Sequence, residues 1–343
     1  MTEEERAQAT AYLRANRALW EALQIENGAT LQARPLAQGE HNANYSFEHP
    51  ESGRRYVLRL NYISQLSLCE QAAYELSVLR AVEPSGRTPL GCYADDSHEL
   101  HPRSALVMEQ VSGQMLDFSS PTQLAEAACM LADVHSVVPS GGCGLLQPGD
   151  ALLDLIAESQ AMFATYRGSA LENPQITVMV ERLFSKALRM TRDSAPRPAE
   201  CRHIISTEMV SAHFLMNADG APGHIIDWEK GILGEATRDV AYFLAPTTTI
   251  WDTDFIFTPQ QRAQFVEQYW RAVGGRFERG AFDERFDAYT MANCLRGVTY
   301  CAQAWVQYHD PAHPLKNAKT FEKLKVYLSQ EFLELLASEY FYL

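Results

Sequence analysis

Residues 38–60 read QGEHNANYSFEHPESGRRYVLRL. Alternating apolar and polar positions mark strands around NYSFEHP and RYVLRLN, and the PESGR run between them has the composition of a hairpin turn. A further strand, LQARPLAQG, comes before them. The turn with Gly39 and Asn42 therefore lies between two strands, and a cation, Arg59, stands on the next.

Working outward, Ala7, Tyr12, Leu13, Leu19, Trp20 and Leu23 recur at helical spacing and predict a helix over 2–24, stopped by Asn27-Gly28. Downstream, Leu68, Ala72, Leu76, Leu79 and Val82 predict a helix over 67–82 that carries Glu75. Strands follow around GCYAD and SALVMEQ, the second ending in Met108-Glu109. Beyond Gly113 the pattern is helical over 121–137, 151–166, 176–191, 259–273, 283–307 and 318–338, with one β-rich interruption between Ile204 and Asp227. The expectation is an α+β chain of two lobes. Residues 1–112 form a five-stranded antiparallel sheet with one helix over it and the N-terminal helix. Residues 113–343 form a larger, mainly helical lobe, joined near Val111–Leu116.

Composition narrows the class. A chain of 343 residues with 46% apolar and 21% charged residues can bury two lobes. Its seven cysteines are odd in number and form no C-x-x-C pair, so neither a disulfide framework nor a zinc site is expected. No uncharged apolar run approaches the length of a membrane span. The opening MTEEERAQAT lacks the basic-then-apolar layout of a signal peptide, which places the expectation in the cytoplasm. With 29 basic against 43 acidic residues, the net charge of −14 argues against nucleic acid and anionic membrane as partners. A small molecule is expected instead.

The order of the polar residues carries the chemistry. A turn without side-chain bulk, a strand cation, a helix carboxylate, an apolar strand end, a loop with Glu208 and His213, and a strand leading into Ile225-Ile226-Asp227 follow one another. A phosphoryl-transfer cleft needs such parts: a cover for the phosphates, a cation with a carboxylate to fix it, a carboxylate for magnesium, and a side chain to orient the acceptor hydroxyl. Asp227 at the exit of a buried strand is an anion in want of a cation, and magnesium shared with nucleotide oxygens would supply one.

Five stretches, in order, resemble the aminoglycoside phosphotransferases and their choline-kinase and homoserine-kinase relatives, which have a protein-kinase-like fold. They are QGEHNANYSFEHPESGRRYVLRL, YELSVLRAV, ALVMEQVSGQML, LADVHSV and IIDWEKGILGEATRDVAYFL. The resemblance runs in register from about residue 30 to 245 and implies a nucleotide cleft for ATP with magnesium. It assigns Arg59 to the nucleotide phosphates, Glu75 to its helix partner (Glu70 being the alternative), and Gly39 and Asn42 to the phosphate-covering turn. It assigns Met108, Glu109 and Val111 to adenine, and Asp227 to the metal. Asp239 is expected to anchor the helix starting near Arg238, and His135 to be a packed core histidine.

The catalytic loop departs from the family pattern, His-x-Asp followed four residues later by Asn. Here it reads STEMVSAHFLM, with His213 fourteen residues before Asp227. Ser206 stands at the histidine position, Glu208 at the catalytic aspartate and His213 at the metal-binding asparagine. Glu208 keeps a carboxylate on a longer arm, and a displacement of roughly an ångström can cost about a hundredfold in rate. An imidazole at His213 suits manganese better than magnesium. Two readings follow: an ATP-dependent small-molecule phosphotransferase with Glu208 as base, or a pseudokinase that binds a nucleotide or ligand without transfer. The acceptor is left open among aminoglycoside, choline-like, sugar and amino-alcohol compounds. Trp251, Asp252 and Asp254, expected in a loop, with Tyr300 and Trp305 on a helix, would suit an amine.

Overall fold

The structure, a computed structural model, describes residues 1–39, 41–194, 202–217, 220–280, 282–310 and 318–343. Alternation in the first hundred residues produces strands β1 (Arg34–Gln38), β2 (Asn42–Glu48), β3 (Arg55–Asn61), β4 (Gly91–Asp95) and β5 (Ala105–Glu109). They form one antiparallel sheet in the order β1-β2-β3-β5-β4. One face, with Ala43, Tyr45, Phe47, Leu58 and Val107, packs under helices α1 (Glu3–Ala15) and α2 (Arg17–Leu23) through Tyr12, Leu13 and Trp20. The other face, with Val57, Leu106 and Met108, receives Leu76 and Leu79 of α3 (Gln71–Val82). The period of two along β3 puts Arg59 on the same face as Val57, toward α3.

Two helices differ from the sequence expectation. The run expected over 2–24 breaks at Asn16, whose backbone is extended and whose side chain accepts from the Leu19 N–H at 2.9 Å, capping α2. The helix expected from Ser67 begins at Gln71. Ser67 has φ +56, and the first turn is capped from a distance by Asp96, which accepts from the Ala72 and Ala73 N–H groups at 3.2 and 2.8 Å.

The rest of the chain is mainly helical. Its helices are α4 (Pro121–His135), α5 (Ala151–Tyr166), α6 (Pro174–Asp193), α7 (Ala236–Leu244), α8 (Pro246–Asp252), α9 (Pro259–Val273), α10 (Phe282–His309), α11 (Ala318–Tyr327) and α12 (Gln330–Glu339). The single helix expected over 318–338 is thus two, with Ser329 capping the second. Trp251 and Asp252, expected in a loop, close α8, where Pro246 occupies the first turn and starts a helix despite three threonines. The β-rich interruption comprises β7 (His203–Ile205), β8 (Phe214–Met216) and β9 (His224–Ile225). β8 joins β9 and β6 (Gln114–Met115) in one small sheet, and β7 pairs with β10 (Ile232–Gly234) in another. Among the described residues no helix is long and apolar enough to cross a membrane, and the six cysteines are all free.

One apolar core runs from Val57, Leu76 and Val78 through Phe118 and Met130 to Trp228 and Phe243, so the sheet and the helical part are continuous inside. Their tightest contact is at Gly231. A Cβ there would lie 2.3 Å from Val78 Cγ1, and the Tyr74 hydroxyl donates to the Gly231 carbonyl at 2.6 Å. The loop after β7 is held from α7. Asp239 is fully buried and accepts from the Ser206 and Thr207 N–H groups at 2.8 and 2.9 Å, fixing Thr207 at φ +71. It therefore anchors this loop as well as its own helix. His135 is fully buried, with Nδ1 2.9 Å from the Tyr269 hydroxyl and Nε2 3.5 Å from Asp239, as expected of a packed histidine.

Two stability tests follow from these contacts. Gly231→Ala should destabilise the protein by about 1–3 kcal/mol through overpacking. Adding Val78→Ala to it should cost less than Val78→Ala costs in the wild type, since each change relieves the other. Additive losses in urea unfolding would show that the two residues do not press on each other. Asp239→Asn keeps the shape but turns an NH2 toward one of the two donors. It should lower stability by about 1.5–3 kcal/mol, the range for a hydrogen bond to a charged group, and a loss below half a kcal/mol would remove Asp239 as the anchor.

Candidate active site

The site is built around Arg59. From β3 its Nη1 reaches Glu75 Oε1 on α3 at 2.6 Å and Asp227 Oδ1 beyond β9 at 2.8 Å, and its Nε donates to Asn44 Oδ1 on the neighbouring strand at 3.1 Å. Arg59 is 6% and Glu75 3% exposed, so neither charge is repaid by water. Glu70, the alternative partner, is exposed at the helix start. Burial pushes the Glu75 carboxyl up to about 8 against the pull of Arg59, with the charges of Asp227 and Glu229 adding to the push. Burial also opposes the Asp227 charge, but Arg59 and His213 outweigh it and hold that carboxyl below its usual range. Three carboxylates thus gather near one guanidinium. The excess is negative, which suits a further cation.

His213 faces Asp227. Its Nε2 lies 3.3 Å from Asp227 Oδ2, while its Nδ1 lies 2.8 Å from the Glu208 carbonyl. A carbonyl can only accept, so Nδ1 carries the proton; in the neutral ring the Nε2 lone pair then points toward a carboxylate. A metal ion between them would turn that repulsion into two bonds. Two ligands at about 2.1 Å and right angles from an octahedral ion sit about 3.0 Å apart, near the spacing seen. Asp227 itself has φ +68, a strained setting for a residue other than glycine or asparagine. Among the described residues there is no group of three or more His, Cys, Asp or Glu placed to hold a metal, so other ligands of such an ion would be phosphate oxygens or water.

Glu208 sits beside this pair and is held by two cations. Its Oε1 accepts from Lys230 Nζ at 2.9 Å and from Arg296 Nη2 on α10 at 3.3 Å, while Oε2 accepts no hydrogen bond among the described residues. Burial raises its carboxyl, but Lys230 and Arg296 outweigh that and bring it down to about 2. The group is ionised at neutral pH, with one oxygen facing open space. Ser206 contributes its hydroxyl as acceptor for the Glu208 N–H at 3.4 Å.

The remaining sequence-derived residues divide. Asn42 is 6% exposed at the start of β2, but its amide donates to the Glu229 carboxylate and its Oδ1 accepts from Asn61 at 2.9 Å. It ties the turn to the Asp227 segment. Gly39 donates its N–H to the Asn42 carbonyl at 3.0 Å, and a Cβ there would meet nothing closer than 3.9 Å. Met108 is buried in β5, and Glu109 ends the strand with its N–H bonded to the Leu90 carbonyl at 2.9 Å. Val111 follows in the connection to β6, where its N–H donates to no backbone carbonyl among the described residues. Trp251, Asp252 and Asp254 make no contact with the Arg59–Glu208 network. Trp251 stands edge-on to Tyr300 and Tyr327, with ring centres 6.1 and 5.9 Å away, and Asp254 is fully exposed beside Lys323.

Several polar residues of the site carried no signal. Glu229 also accepts from Gln65 Nε2 at 2.6 Å, and its backbone carbonyl accepts from Gln71 Nε2 at 2.9 Å. Glu229 and Lys230 adjoin Asp227 in sequence and were within reach of a closer reading. Arg296 stands 88 residues from Glu208 on a long helix, and only the packing of α10 brings it in.

Similarity to known proteins agrees with this geometry. The chain resembles in fold a spectinomycin phosphotransferase solved with ADP and spectinomycin (TM-score 0.60, 13% identity, covering 93% of this chain and 94% of that one). It also resembles an ethanolamine kinase from Plasmodium vivax (0.62, 11%, 92% and 86%) and a choline kinase from Cryptosporidium parvum (0.60, 12%, 98% and 97%). No curated protein matches its sequence. These likenesses show a protein-kinase-like fold of the aminoglycoside phosphotransferase and choline kinase type. The model of the phosphotransferase enzyme family matches residues 32–284, and with that span covered the chain belongs to this family.

Proposed function

We propose that this chain is an ATP-dependent phosphotransferase acting on a hydroxyl of a small molecule in the cytoplasm. The observation that carries the reading is Arg59 Nη1 shared between Glu75 and Asp227, with His213 Nε2 beside Asp227, in a member of a phosphotransferase family. Residues 1–112 would serve as the nucleotide lobe and 113–343 as the acceptor lobe. Arg59, fixed by Glu75, would neutralise phosphate oxygens, and the turn of Gly39 and Asn42 would cover them. The segment Met108, Glu109 and Val111 would meet the adenine through backbone groups, for which the Val111 N–H is open. Asp227 and His213 would hold a magnesium or manganese ion. When bound, that ion supplies positive charge to the oxygens between which the phosphoryl group moves.

Glu208 acts through Oε2. That oxygen can accept a hydrogen bond from the acceptor hydroxyl and receive its proton as transfer completes, while Lys230 and Arg296 fix the carboxylate through Oε1. Such a weak base orients the nucleophile more than it activates it, as suits a loose transition state with little bond formation to the attacking oxygen. The extra methylene of glutamate is restrained by these two cations, which limits the freedom that would otherwise cost rate.

Titration with ATP in magnesium or manganese, read as a thermal shift, tests the nucleotide part. ATP should raise the melting temperature in a metal-dependent way, and Arg59→Ala and Asp227→Ala should each remove most of the rise. Equal shifts in all three proteins would place the nucleotide elsewhere. In turnover, Glu208→Gln should lower kcat about 10²–10⁴-fold, the usual range for a positioned acid–base group, with manganese the better metal. Binding without transfer to any acceptor in a broad screen, equally in wild type and Glu208→Gln, would leave a nucleotide-binding module.

A further inference from the structure

Around Glu208 the charge balance inverts. The chain carries a net charge of −14, yet Lys230, Arg238 and Arg296 crowd this one recess. Lys230 and Arg296 share Glu208 Oε1, and Arg296 Nε also reaches Glu158 Oε1 on α5 at 3.2 Å. Arg238, on α7, differs from both. Among the described residues its guanidinium makes no hydrogen bond and has no carboxylate oxygen within 4 Å, although its Nε is fully buried. Its neighbours are Tyr289, Arg296, Asp239 and Glu158 at longer range, and Asp239 is already committed to the Ser206 and Thr207 N–H groups. One turn on, the Tyr242 hydroxyl faces the same charges, Glu208, Arg296 and Arg238, with no hydrogen-bond partner among the described residues.

A desolvated guanidinium without a counterion is costly, and such groups are ordinarily paired. Burial and the like charge of Arg296 both disfavour the charged form of Arg238, so the fold alone gains nothing from it. An arginine fork beside a second arginine and a tyrosine hydroxyl is instead a good receptor for a carboxylate or phosphate. We propose that the acceptor is an anionic alcohol whose carboxylate or phosphate docks on Arg238, with Arg296 and Tyr242 beside it, placing its hydroxyl at Glu208 Oε2. This rests on the phosphotransferase reading and names its substrate class. It also replaces the amine expected from Trp251, Asp252 and Asp254, of which Asp254 is spent on Lys323 at the surface.

The test uses the full chain and matched probes: glycerate and 3-hydroxybutyrate, glycerol 3-phosphate, the neutral glycerol and 1,3-butanediol, and the cationic choline and ethanolamine. Each is added to the protein with ADP and manganese for thermal shift, and with ATP for product formation. Anionic probes should raise the melting temperature while neutral and cationic ones do not; a response to hydroxy acids alone or to glycerol 3-phosphate alone tells carboxylate from phosphate. Arg238→Gln should abolish that rise and increase KM for the anionic acceptor at least tenfold with little change in kcat. Without probe, it should not lower the melting temperature, because it removes an unpaired charge. A marked loss of stability in Arg238→Gln would make the residue structural and overturn the proposal. So would transfer to choline or a neutral alcohol in preference to the anions, or no anion-dependent shift while ATP still binds. If Arg238→Gln weakens ATP but not ADP, the cations serve the transferring phosphate and the acceptor assignment falls. Absence of any ATP shift in the wild type would instead defeat the phosphotransferase reading itself.

Discussion

A single guanidinium organises this molecule. Arg59 is buried on the α3 face of the sheet, and its Nη1 is shared by a carboxylate from α3 and one from the segment after β9. Removing one partner from a buried pair of this kind typically costs about 3–5 kcal/mol, because the other charge is left without compensation. The sheet, the helix and the helical lobe must therefore assemble in one arrangement for any of the three charges to be tolerated. The same constraint concentrates negative charge where a metal and phosphates would be received, so the element that fixes the assembly also fixes the chemistry.

Glu229 closes the cleft from the other side. Its carboxylate accepts from Asn42 and Gln65, and its carbonyl from Gln71. The turn expected to cover phosphates is thus tied to the residue two places beyond Asp227. Opening the cleft would mean exchanging these bonds for others, and the amides, being neutral, can rebond to water or phosphate at small net cost. Charge sets the centre of the site and exchangeable amides set its rim.

The altered loop is a set of compensations. Where the family pattern has His-x-Asp, this chain has Ser206 and Glu208, and the loop backbone is held by Asp239 through two N–H groups whatever occupies position 206. The longer glutamate arm is caught by Lys230 and Arg296 at one oxygen, leaving the other free. His213 replaces asparagine but stays oriented, since the Glu208 carbonyl fixes its Nδ1. Each substitution meets a partner supplied by another element.

What the sequence determined by itself was what periodicity and local motif can carry. Alternation over 38–60 marked the hairpin and put Arg59 on its strand, and the exit of a buried strand marked Asp227, because both signals are local. Choosing Glu75 over Glu70 needed the fold: five residues apart on one helical stretch, they differ in that α3 starts at Gln71 and turns only Glu75 inward. The breaks at Asn16 and after Tyr327 were hidden because capping side chains let apolar spacing continue across them. Lys230, Arg238 and Arg296 were invisible as a group, for they come from a turn, a short helix and a long helix, and α10 joins them only by packing on α5 and α7. Local chemistry can mark a charge; only tertiary packing decides which charges meet, because burial and the absence of water make their pairing obligatory.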